Sequence, residues 1–542
     1  MGRSLVEGLT ISKISRDCPQ PMNAASATYA ANRHLFWLIG GLLFARLSSP
    51  AADWTQYRGP NHDGTSADRI NKQWSGSITN PVWLVPVTNG PCSLSVSGGR
   101  VFTQIRRTID GIDKEVCVGL SATDGSELWA TTVDDAIYDG GVGFDDGPRS
   151  TPSIDGGSVY VLSSYLNLYR LNPNDGGIIW QKDLKSIYGG FPIPWQNAAS
   201  PLIENGLIYL NANCTESTLL ALRTSDGSLA WRSQDEAMTH STPVLATIDG
   251  VRQVIFATQT GLVSLNPKSG NLLWKFNYPF NYSTSLAASP VVHSNMVFIG
   301  GAHAYNMGSV VTEVHLTNST WTTARLWYTN NPASHWMTPV AYQGYLYGLF
   351  GIQFYDATPA TQLKCIDMRT GQVKWSVDNF GHGGTMLVDN HLVIITEKGD
   401  LVLVKPDPNA YTELGRFQAI PDYFGDTNKC WNSPAIADGR VYVRSTSFAA
   451  CYDLSVPNLK LDPPQLASAN KFQLIARTAN GSPIDSNRFA AIEFRTSTNP
   501  ALPLTQWTKL TNALVLTNGA VRATNVDGTG FNRRFFIVSE PN

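Results

Sequence analysis

The chain has 542 residues, only 15% of them charged, and a formal net charge of −2 at pH 7. This balance excludes the large basic surface with which proteins bind nucleic acid or anionic membranes. Its 46 glycines, 31 prolines and 15 tryptophans exclude a disordered chain and favour an all-β fold rich in turns.

The N-terminal region has the features of a secretory signal. Arg33 and His34 precede the apolar run LFWLIGGLLF at residues 35–44, and the small residues SPAA follow at 49–52. The run is too short to span a bilayer, although an N-terminal membrane anchor is the alternative interpretation. A start at Met22 gives a signal of ordinary length. We therefore expect residues 1–52 to be a signal region and the chain to be exported, to the periplasm, the cell surface or the medium, with no transmembrane segment after the signal.

A turn followed by a tryptophan-bearing strand recurs along the chain, as in Asp124-Gly125 before Trp129. The recurring residues are Trp129, Trp180, Trp231, Trp274, Trp327 and Trp375, spaced about 43 to 53 residues apart. This is the period of a four-stranded propeller blade. Tryptophan offers a large apolar face to a neighbouring blade and retains one N–H for a carbonyl, so we expect a structural role for these residues.

Each repeat also begins with a Ser/Thr-Pro step and continues with a strand pair joined by a tight turn. The steps are Thr151-Pro152, Ser200-Pro201, Thr242-Pro243, Ser289-Pro290, Thr338-Pro339 and Ser433-Pro434. Asp-Gly and Asn-Gly pairs in the turns are typical of two-residue hairpins. Eight second strands can be counted, and the strand around Trp83 supplies the missing fourth strand of the last unit. The sequence therefore predicts an all-β, eight-bladed β-propeller over residues 53–455, closed by an N-terminal strand that removes the exposed edges.

With these repeats, the chain resembles the pyrroloquinoline-quinone (PQQ)-like repeat propellers. The opening DWTQYRGPNHDG at residues 53–64 is similar to the lead-in of exported bacterial members. The resemblance covers residues 53–455 and implies the fold. It leaves the function open, because a fold hosts many functions. One branch of the family comprises quinoprotein dehydrogenases, which bind PQQ and calcium. Another is similar to the propeller lipoprotein of the outer-membrane β-barrel assembly machine, which binds a protein.

We expect a non-catalytic, exported propeller that binds a protein or glycan partner in the cell envelope, with no cofactor and no metal. The alternative is a PQQ- and calcium-dependent dehydrogenase acting on an alcohol or sugar. The chain lacks the adjacent cysteine pair of many such enzymes, and a calcium site needs several oxygen ligands that the sequence does not assemble. Asp145 and Asp146 are the best acidic candidates, and a solvated loop held by Arg149 is their ordinary interpretation.

The long loops that lead into each Ser/Thr-Pro step carry the candidate binding residues. Two positions before the step lie Arg149, His240, Trp336 and Trp431, and Trp195 lies in another of these loops. Matching positions on successive blades predict a ring at one mouth of the central funnel. Such residues suit a planar or anionic ligand or a peptide. The alternative is that they pack together and plug the channel.

Six cysteines follow the signal region, and Cys92 and Cys430 fall at nearly matching positions in the first and last repeats. These positions would allow a disulfide that locks the closure of the ring, and two buried free thiols are the favoured alternative.

The repeats stop before Leu459. Pro463-Pro464 predicts a linker over residues 456–470. Short alternating strands then predict a small β-sandwich over residues 471–542, with a hairpin turn at Asn518-Gly519. This part resembles a C-terminal domain of exported bacterial proteins.

Overall fold

The computed structural model describes residues 53–74, 76–136, 147–280, 286–301, 307–329, 333–351, 361–421, 428–530 and 533–540. The predicted signal region lies outside these residues. The described chain divides into two units, with the boundary between Asn458 and Leu459. Within these ranges, no helix has the length and apolar character needed to cross a membrane.

The first unit is all-β and consists of antiparallel sheets built on four strands, which we number 1 to 8 in chain order. Sheets 1 to 3 contain Ser95–Ser97, Arg100–Ile109, Ile112–Ser121 and Glu127–Asp135; Ser153–Asp155, Ser158–Leu162, Asn167–Leu171 and Ile178–Asp183; and Leu202–Glu204, Leu207–Asn211, Leu219–Arg223 and Leu229–Ser233. Sheets 4 to 6 contain Val244–Ile248, Val251–Thr258, Gly261–Leu265 and Leu272–Asn277; Val291–His293, Met296–Gly300, Ser309–Thr317 and Thr320–Thr329; and Val340–Tyr342, Tyr345–Phe350, Gln362–Asp367 and Val373–Val377.

Sheets 7 and 8 each include a strand from the N-terminal part of the first unit. Sheet 7 contains Gly384–Val388, His391–Ile395, Asp400–Lys405 and Thr412–Gln418, and the short strand Thr65–Ser66 adds to it in parallel. Sheet 8 contains Ala435–Ala437, Arg440–Arg444 and Phe448–Asp453, and Trp83–Pro86 is its fourth strand. The pairing of Trp83–Pro86 with the last repeat is the pairing that the sequence predicts. A short helix, Leu184–Tyr188, and a 3-10 helix, Gly76–Thr79, complete the unit.

The glycine of each tryptophan-associated turn serves two purposes. Gly176 has φ = 72°, a conformation that glycine adopts without strain. A Cβ atom added there would lie 2.5 Å from the indole of Trp129 in the preceding sheet. Gly371 stands in the same relation to Trp327, at 2.7 Å. The turn glycine thus permits both the tight turn and the close contact between neighbouring sheets.

Most repeat tryptophans donate their indole N–H to a backbone carbonyl of the next sheet. The donor–acceptor pairs are Trp83 to Ala122, Trp129 to Pro173, Trp180 to Thr224, Trp231 to Pro267, Trp327 to Met368 and Trp375 to Asp407. Trp274 differs, because its N–H bonds to the Gln253 side chain within its own sheet at 2.6 Å. Gln253 is fully buried and accepts this bond with its amide oxygen.

The Ser/Thr residues of the steps, together with Ser93 at the corresponding position before sheet 1, connect neighbouring sheets. The amides of Ser93, Thr151, Ser200, Ser289 and Ser433 donate to the hydroxyls of Thr151, Ser200, Thr242, Thr338 and Ser93, respectively, at 2.9–3.0 Å. The last of these bonds joins sheet 8 to sheet 1. An apolar cluster shared by sheets 7, 8 and 1, and including Trp54, Trp74 and Trp83, packs the same junction.

The second unit contains two sheets that share one apolar cluster. The five-stranded sheet comprises Leu459–Leu461, Gln465–Ser468, Lys471–Thr478, Leu514–Thr517 and Ala520–Asp527. The three-stranded sheet comprises Glu493–Ser497, Thr508–Lys509 and Phe535–Ser539, and the helix Ser486–Phe489 and 3-10 helix Leu504–Gln506 connect strands.

The linker prediction over residues 456–470 is wrong in part. Leu459–Leu461 and Gln465–Ser468 are strands, and both pair with Lys471–Thr478. Pro463 and Pro464 interrupt an edge between two short strands, which is a position where the missing proline N–H costs no ladder bond.

Candidate functional site

A segment at the start of the first unit, residues 53–71, contacts the first strands of several sheets, and we call it the lead-in segment. The amide of Val96 in sheet 1 donates to Trp54 O at 2.8 Å, and the amide of Ile154 in sheet 2 donates to Thr55 O at 2.7 Å. The Gln56 side chain then makes two bonds with the backbone of Ile203 in sheet 3, at 3.1 and 3.3 Å. Successive residues of the segment therefore bind successive sheets.

Arg58 carries the segment to sheet 6. Its guanidinium donates to Thr338 O at 3.0 Å and to Pro339 O at 2.8 Å, and it also bonds Asp63 O. The residue is 2% exposed, and burial lowers its pKa from the ordinary arginine value. A buried guanidinium is costly unless carbonyl oxygens or charges surround it, and here carbonyls do so.

Beyond Arg58 the segment continues along sheets 7 and 8. Thr65 and Ser66 pair in parallel with Leu387 and Val388. The Asp68 carboxylate then accepts the amide of Gly439 at 3.0 Å, in the hairpin between the first two strands of sheet 8. The segment thus contacts six sheets, within or directly beside their first strands, and it passes from sheet 3 to sheet 6 between Gln56 and Arg58. It occupies the place where these strands converge.

A second feature lies in the connections that precede the first strands, and we call it the aromatic cluster. Its members are His335, Trp336, His382, Glu397, Lys429 and Trp431. Five of them lie in loops from a fourth strand to the next first strand. Glu397 lies in the hairpin between the second and third strands of sheet 7, which antiparallel pairing puts at the same end of the sheet.

Ring contacts hold the aromatic cluster together. The Trp336 ring centroid is 4.7 Å from that of His335, 5.1 Å from His382 and 5.0 Å from Trp431. The Lys429 ammonium lies over the Trp431 ring, 4.2 Å from its centroid. These distances suit tilted aromatic pairs and a cation–π contact. Both indoles remain partly exposed, but each is in contact with other rings of the cluster, which reduces the face that it offers to a planar ligand.

Glu397 organises the polar side of the cluster. Its carboxylate accepts the Trp431 indole N–H at 3.0 Å and the His382 amide at 3.2 Å, and it lies 3.5 Å from His382 Nδ1. Burial on its own raises the pKa of Glu397. The hydrogen bonds and charge of His382, together with the Trp431 bond, outweigh burial and lower this pKa to about 2. Trp336 Nε1 and His382 Nε2 are buried and have no hydrogen-bond partner among the described residues.

The predicted ring of Arg149, His240, Trp336 and Trp431 divides into two parts. Trp336 and Trp431 touch directly. Arg149 and His240 instead bind the loop before sheet 3, where Arg149 donates to Trp195 O at 3.2 Å and His240 Nε2 lies 2.8 Å from Gln196 O. Burial and the Arg149 charge lower the pKa of His240 to about 3, so its ring stays neutral. Trp195 is partly buried and contributes its carbonyl to this pair.

The remaining predicted positions are two aspartates and two cysteines. Asp145 and Asp146 lie outside the described residues. The disulfide between Cys92 and Cys430 is absent, because both are free, buried thiols. Cys92 Sγ lies 3.2 Å from Thr103 Oγ1 and receives a bond from Arg444, whereas the Cys430 amide bonds to Glu397 O. Cys92 directly precedes Ser93, whereas Cys430 lies three residues before Ser433, so the two cysteines do not occupy matching positions in their repeats.

The residues near the convergence of the first strands do not fit a quinone–calcium site. Within the part of the chain that the structure describes, no three His, Cys, Asp or Glu side chains lie close enough to hold a metal. The Gln56 amide and the Arg58 guanidinium occupy the convergence, and a cationic group there opposes a calcium ion.

Sequence reasoning missed Glu397, Lys429 and the two lead-in side chains. Glu397 sits in a second-to-third-strand hairpin, a class of loop that lies at the same end as the loops considered. The motif at residues 53–64 carried the signal for Gln56 and Arg58, but a motif does not reveal which sheets it contacts.

Comparison with known proteins shows what part of the chain is similar to. A family model described as outer membrane protein assembly factor BamB matches residues 113–376. Over these residues the chain is similar to the PQQ-like repeat propellers. Its relatives include BamB of Moranella endobia, 25% identical over 274 residues, which are 48% of this chain and 65% of the relative. BamB of Yersinia pestis is 24% identical over 249 residues, 42% of this chain and 58% of the relative.

The matched regions thus span less than two thirds of these PQQ-like relatives. Similar solved structures include BamB from Moraxella catarrhalis, with a TM-score of 0.46 and 12% identity over 69% of this chain and 97% of that chain. A quinohemoprotein alcohol dehydrogenase from Comamonas testosteroni has a TM-score of 0.47 and 13% identity over 81% of this chain and 84% of that chain.

Proposed function

We propose that this chain is a non-catalytic, exported propeller that binds a protein partner in the cell envelope. In this proposal the sheets of the first unit are eight blades over residues 53–455, closed by Trp83–Pro86. The second unit is a small β-sandwich, and the chain works in the periplasm or at the cell surface. The similar proteins named outer membrane protein assembly factor BamB support an envelope role.

The closed ring is supported by contacts between consecutive sheets. Indole-to-carbonyl bonds and step hydroxyls connect neighbours, and the Ser433–Ser93 bond at 3.0 Å joins the last sheet to the first. The Trp83 N–H bonds Ala122 O across the same junction at 3.1 Å. A ring without free lateral edges suits a scaffold in a compartment crowded with other β-proteins.

The lead-in segment carries the proposal. Its backbone and the Gln56 and Arg58 side chains occupy the convergence of the first strands, where a propeller enzyme would need an open cavity. The aromatic cluster fills the connections at the other end of the same strands with mutually stacked rings. Binding by an exposed surface therefore fits this chain better than chemistry in a central site, and we do not favour the quinoprotein dehydrogenase.

The loop between sheets 2 and 3 is our candidate binding surface. Ile187 is 50% and Phe191 is 53% exposed. The loop that presents them is well held. Asp183 caps the helix Leu184–Tyr188, Gly189 ends it with φ = 71°, and Asn213 Nδ2 donates to Phe191 O at 3.0 Å. Large apolar side chains displayed on an ordered loop mark protein interfaces more often than glycan sites, so we favour a protein partner.

Photo-crosslinking in cells tests the proposal. A photoreactive phenylalanine analogue at Phe191 should form an adduct with one defined envelope protein, identified by mass spectrometry. The matched control carries the analogue at Thr123, which is exposed in a turn at the opposite end of the sheets. The double variant Ile187→Ser, Phe191→Ser should lose co-purification of that protein. Equal labelling from both positions, or no adduct from Phe191, would contradict the proposed surface.

Calorimetric titration with PQQ in calcium tests the alternative. We expect no saturable heat, because Arg58 and Gln56 occupy the convergence. One-to-one binding that a chelator abolishes would overturn the non-catalytic proposal and justify assays with alcohols and sugars.

A further inference from the structure

The two sheets of the second unit are closed along one side and open along the other. On the closed side, Leu459–Leu461 of the five-stranded sheet lies beside Phe535–Ser539 of the three-stranded sheet. On the open side, Leu514–Thr517 pairs only with Ala520–Asp527, and Thr508–Lys509 pairs only with Glu493–Ser497, within the described residues. Two edge strands therefore face one another without a ladder between them.

A pocket of about 450 Å³ lies at this open side. Its apolar lining comes from Phe489, Ile492, Leu510 and Leu514, and Lys509 with Asn512 contributes polar groups at the rim. We call the pocket and its two flanking strands the edge groove. Ile492 belongs to the buried apolar cluster of the unit, and Leu510 and Leu514 pack against that cluster. The groove is thus an opening into the core between the sheets.

An edge strand presents N–H and C=O groups along its free side, which another extended chain can pair with. When an apolar pocket lies beside that edge, backbone pairing supplies affinity and alternate side chains supply specificity. The outward side chain Val515 is 50% exposed, whereas Leu514 turns toward the pocket. Successive side chains of this edge strand therefore alternate between the groove and solvent, and a strand added beside it would alternate in the same way.

The net charge of the second unit indicates which kind of segment the edge groove would bind. Residues 459–542 contain nine basic and five acidic side chains, in a chain whose overall charge is −2. A second copy pairing through the same edge would bring two basic units together, which is unfavourable. A segment with acidic residues beside its apolar core would instead be attracted.

We propose that the edge groove binds an extended, apolar segment with acidic flanks from another polypeptide, by addition of a strand to Leu514–Thr517. The site is separate from the loop between sheets 2 and 3, and it does not depend on the function proposed for the first unit.

The test uses the full chain and a fluorescent synthetic peptide of alternating valine and threonine flanked by glutamates. Anisotropy should show saturable binding that weakens as salt increases, since Coulomb attraction assists it. Leu514→Asp, in the groove, should weaken binding by about tenfold or more. The matched control is Leu466→Asp, on the opposite edge of the same sheet, where Leu466 is 68% exposed. It should bind like the unmodified chain.

Hydrogen–deuterium exchange of the unmodified chain keeps the test independent of variant folding. The peptide should protect amides within residues 510–517, and a version with proline at alternate positions should not. Absence of protection there, or equal weakening by the two variants, would overturn the proposal. A concentration-dependent dimer that competes with the peptide would also overturn it, in favour of a second copy as the occupant.

Discussion

The lead-in segment and the aromatic cluster both fill space next to the first strands, but by different interactions. The lead-in segment binds the sheets through backbone groups, as in the bond from Ile154 N to Thr55 O, and through side chains aimed at backbone, such as Gln56 and Arg58. The aromatic cluster is held by side chains that contact other side chains. A hydrogen bond to a backbone carbonyl requires a donor at one position, so replacing the donor leaves the carbonyl unpaired. Contacts between aromatic rings are retained better when one ring is replaced by another of similar size. The two regions should therefore respond differently to substitution.

The largest effect is expected at Arg58. Arg58→Met removes a buried guanidinium and leaves the carbonyls of Asp63, Thr338 and Pro339 without their donor. The free energy of unfolding should fall by about 3–5 kcal/mol, measured by urea denaturation. Arg325→Met replaces an exposed arginine and serves as the control, with a change of at most about 0.5 kcal/mol. Similar losses in the two variants would show that the lead-in bonds do not stabilise the fold.

Glu397 gives the aromatic cluster a pH dependence. Its folded pKa of about 2 lies below the ordinary value of 4.5, so it stabilises the fold above pH 4.5, and this contribution is lost as the pH falls toward 2. The contribution is about 3 kcal/mol by linkage. Glu397→Gln should flatten the fall in unfolding free energy between pH 4.5 and 2. Glu216→Gln, at an exposed position, should follow the unmodified chain. A curve for Glu397→Gln that also follows the unmodified chain would refute the role assigned to this carboxylate.

The smallest effect separates two neighbouring indoles. Trp431→Phe removes the N–H that Glu397 accepts, and should destabilise by about 1–2 kcal/mol more than Trp336→Phe. Trp336 is the matched control, because its buried N–H has no partner among the described residues. Chemical denaturation of both variants, and of each combined with Glu397→Gln, measures the coupling directly. Equal losses, with no coupling to Glu397, would contradict the assigned bond.

The repeat pattern predicted the parts of the fold that local chemistry controls. Asp-Gly pairs located the turns, the indoles located the fourth strands, and the strand at Trp83 was assigned to the last sheet, where it pairs with Cys451. The pair Pro463-Pro464 predicted a linker, whereas the prolines interrupt the edge of a sheet. A proline pair does not indicate whether the residues on either side of it pair with another strand.

The candidate site was less predictable, because long-range contacts form it. Gln56 meets Ile203 only after the sheets assemble, and no local pattern records that meeting. Trp274 departs from its fellow tryptophans because of Gln253, an acceptor in its own sheet. The matching positions of Trp336 and Trp431 in their repeats predicted that both would lie in one ring of residues. Arg149 and His240 instead bind carbonyls of a loop with two successive left-handed residues, Trp195 and Gln196, and the sequence does not reveal that geometry.

The composite last sheet has a consequence for how the protein matures. Trp83–Pro86 emerges early during synthesis, yet its partner strand Phe448–Asp453 is among the last of the repeats to follow. Until then the growing chain carries an unmatched strand at each end of an incomplete circle, and such edges invite wrong pairing. Closure by so distant a contact is slow compared with hairpin formation. A nascent chain that stalls anywhere before Asp453 is therefore prone to aggregate.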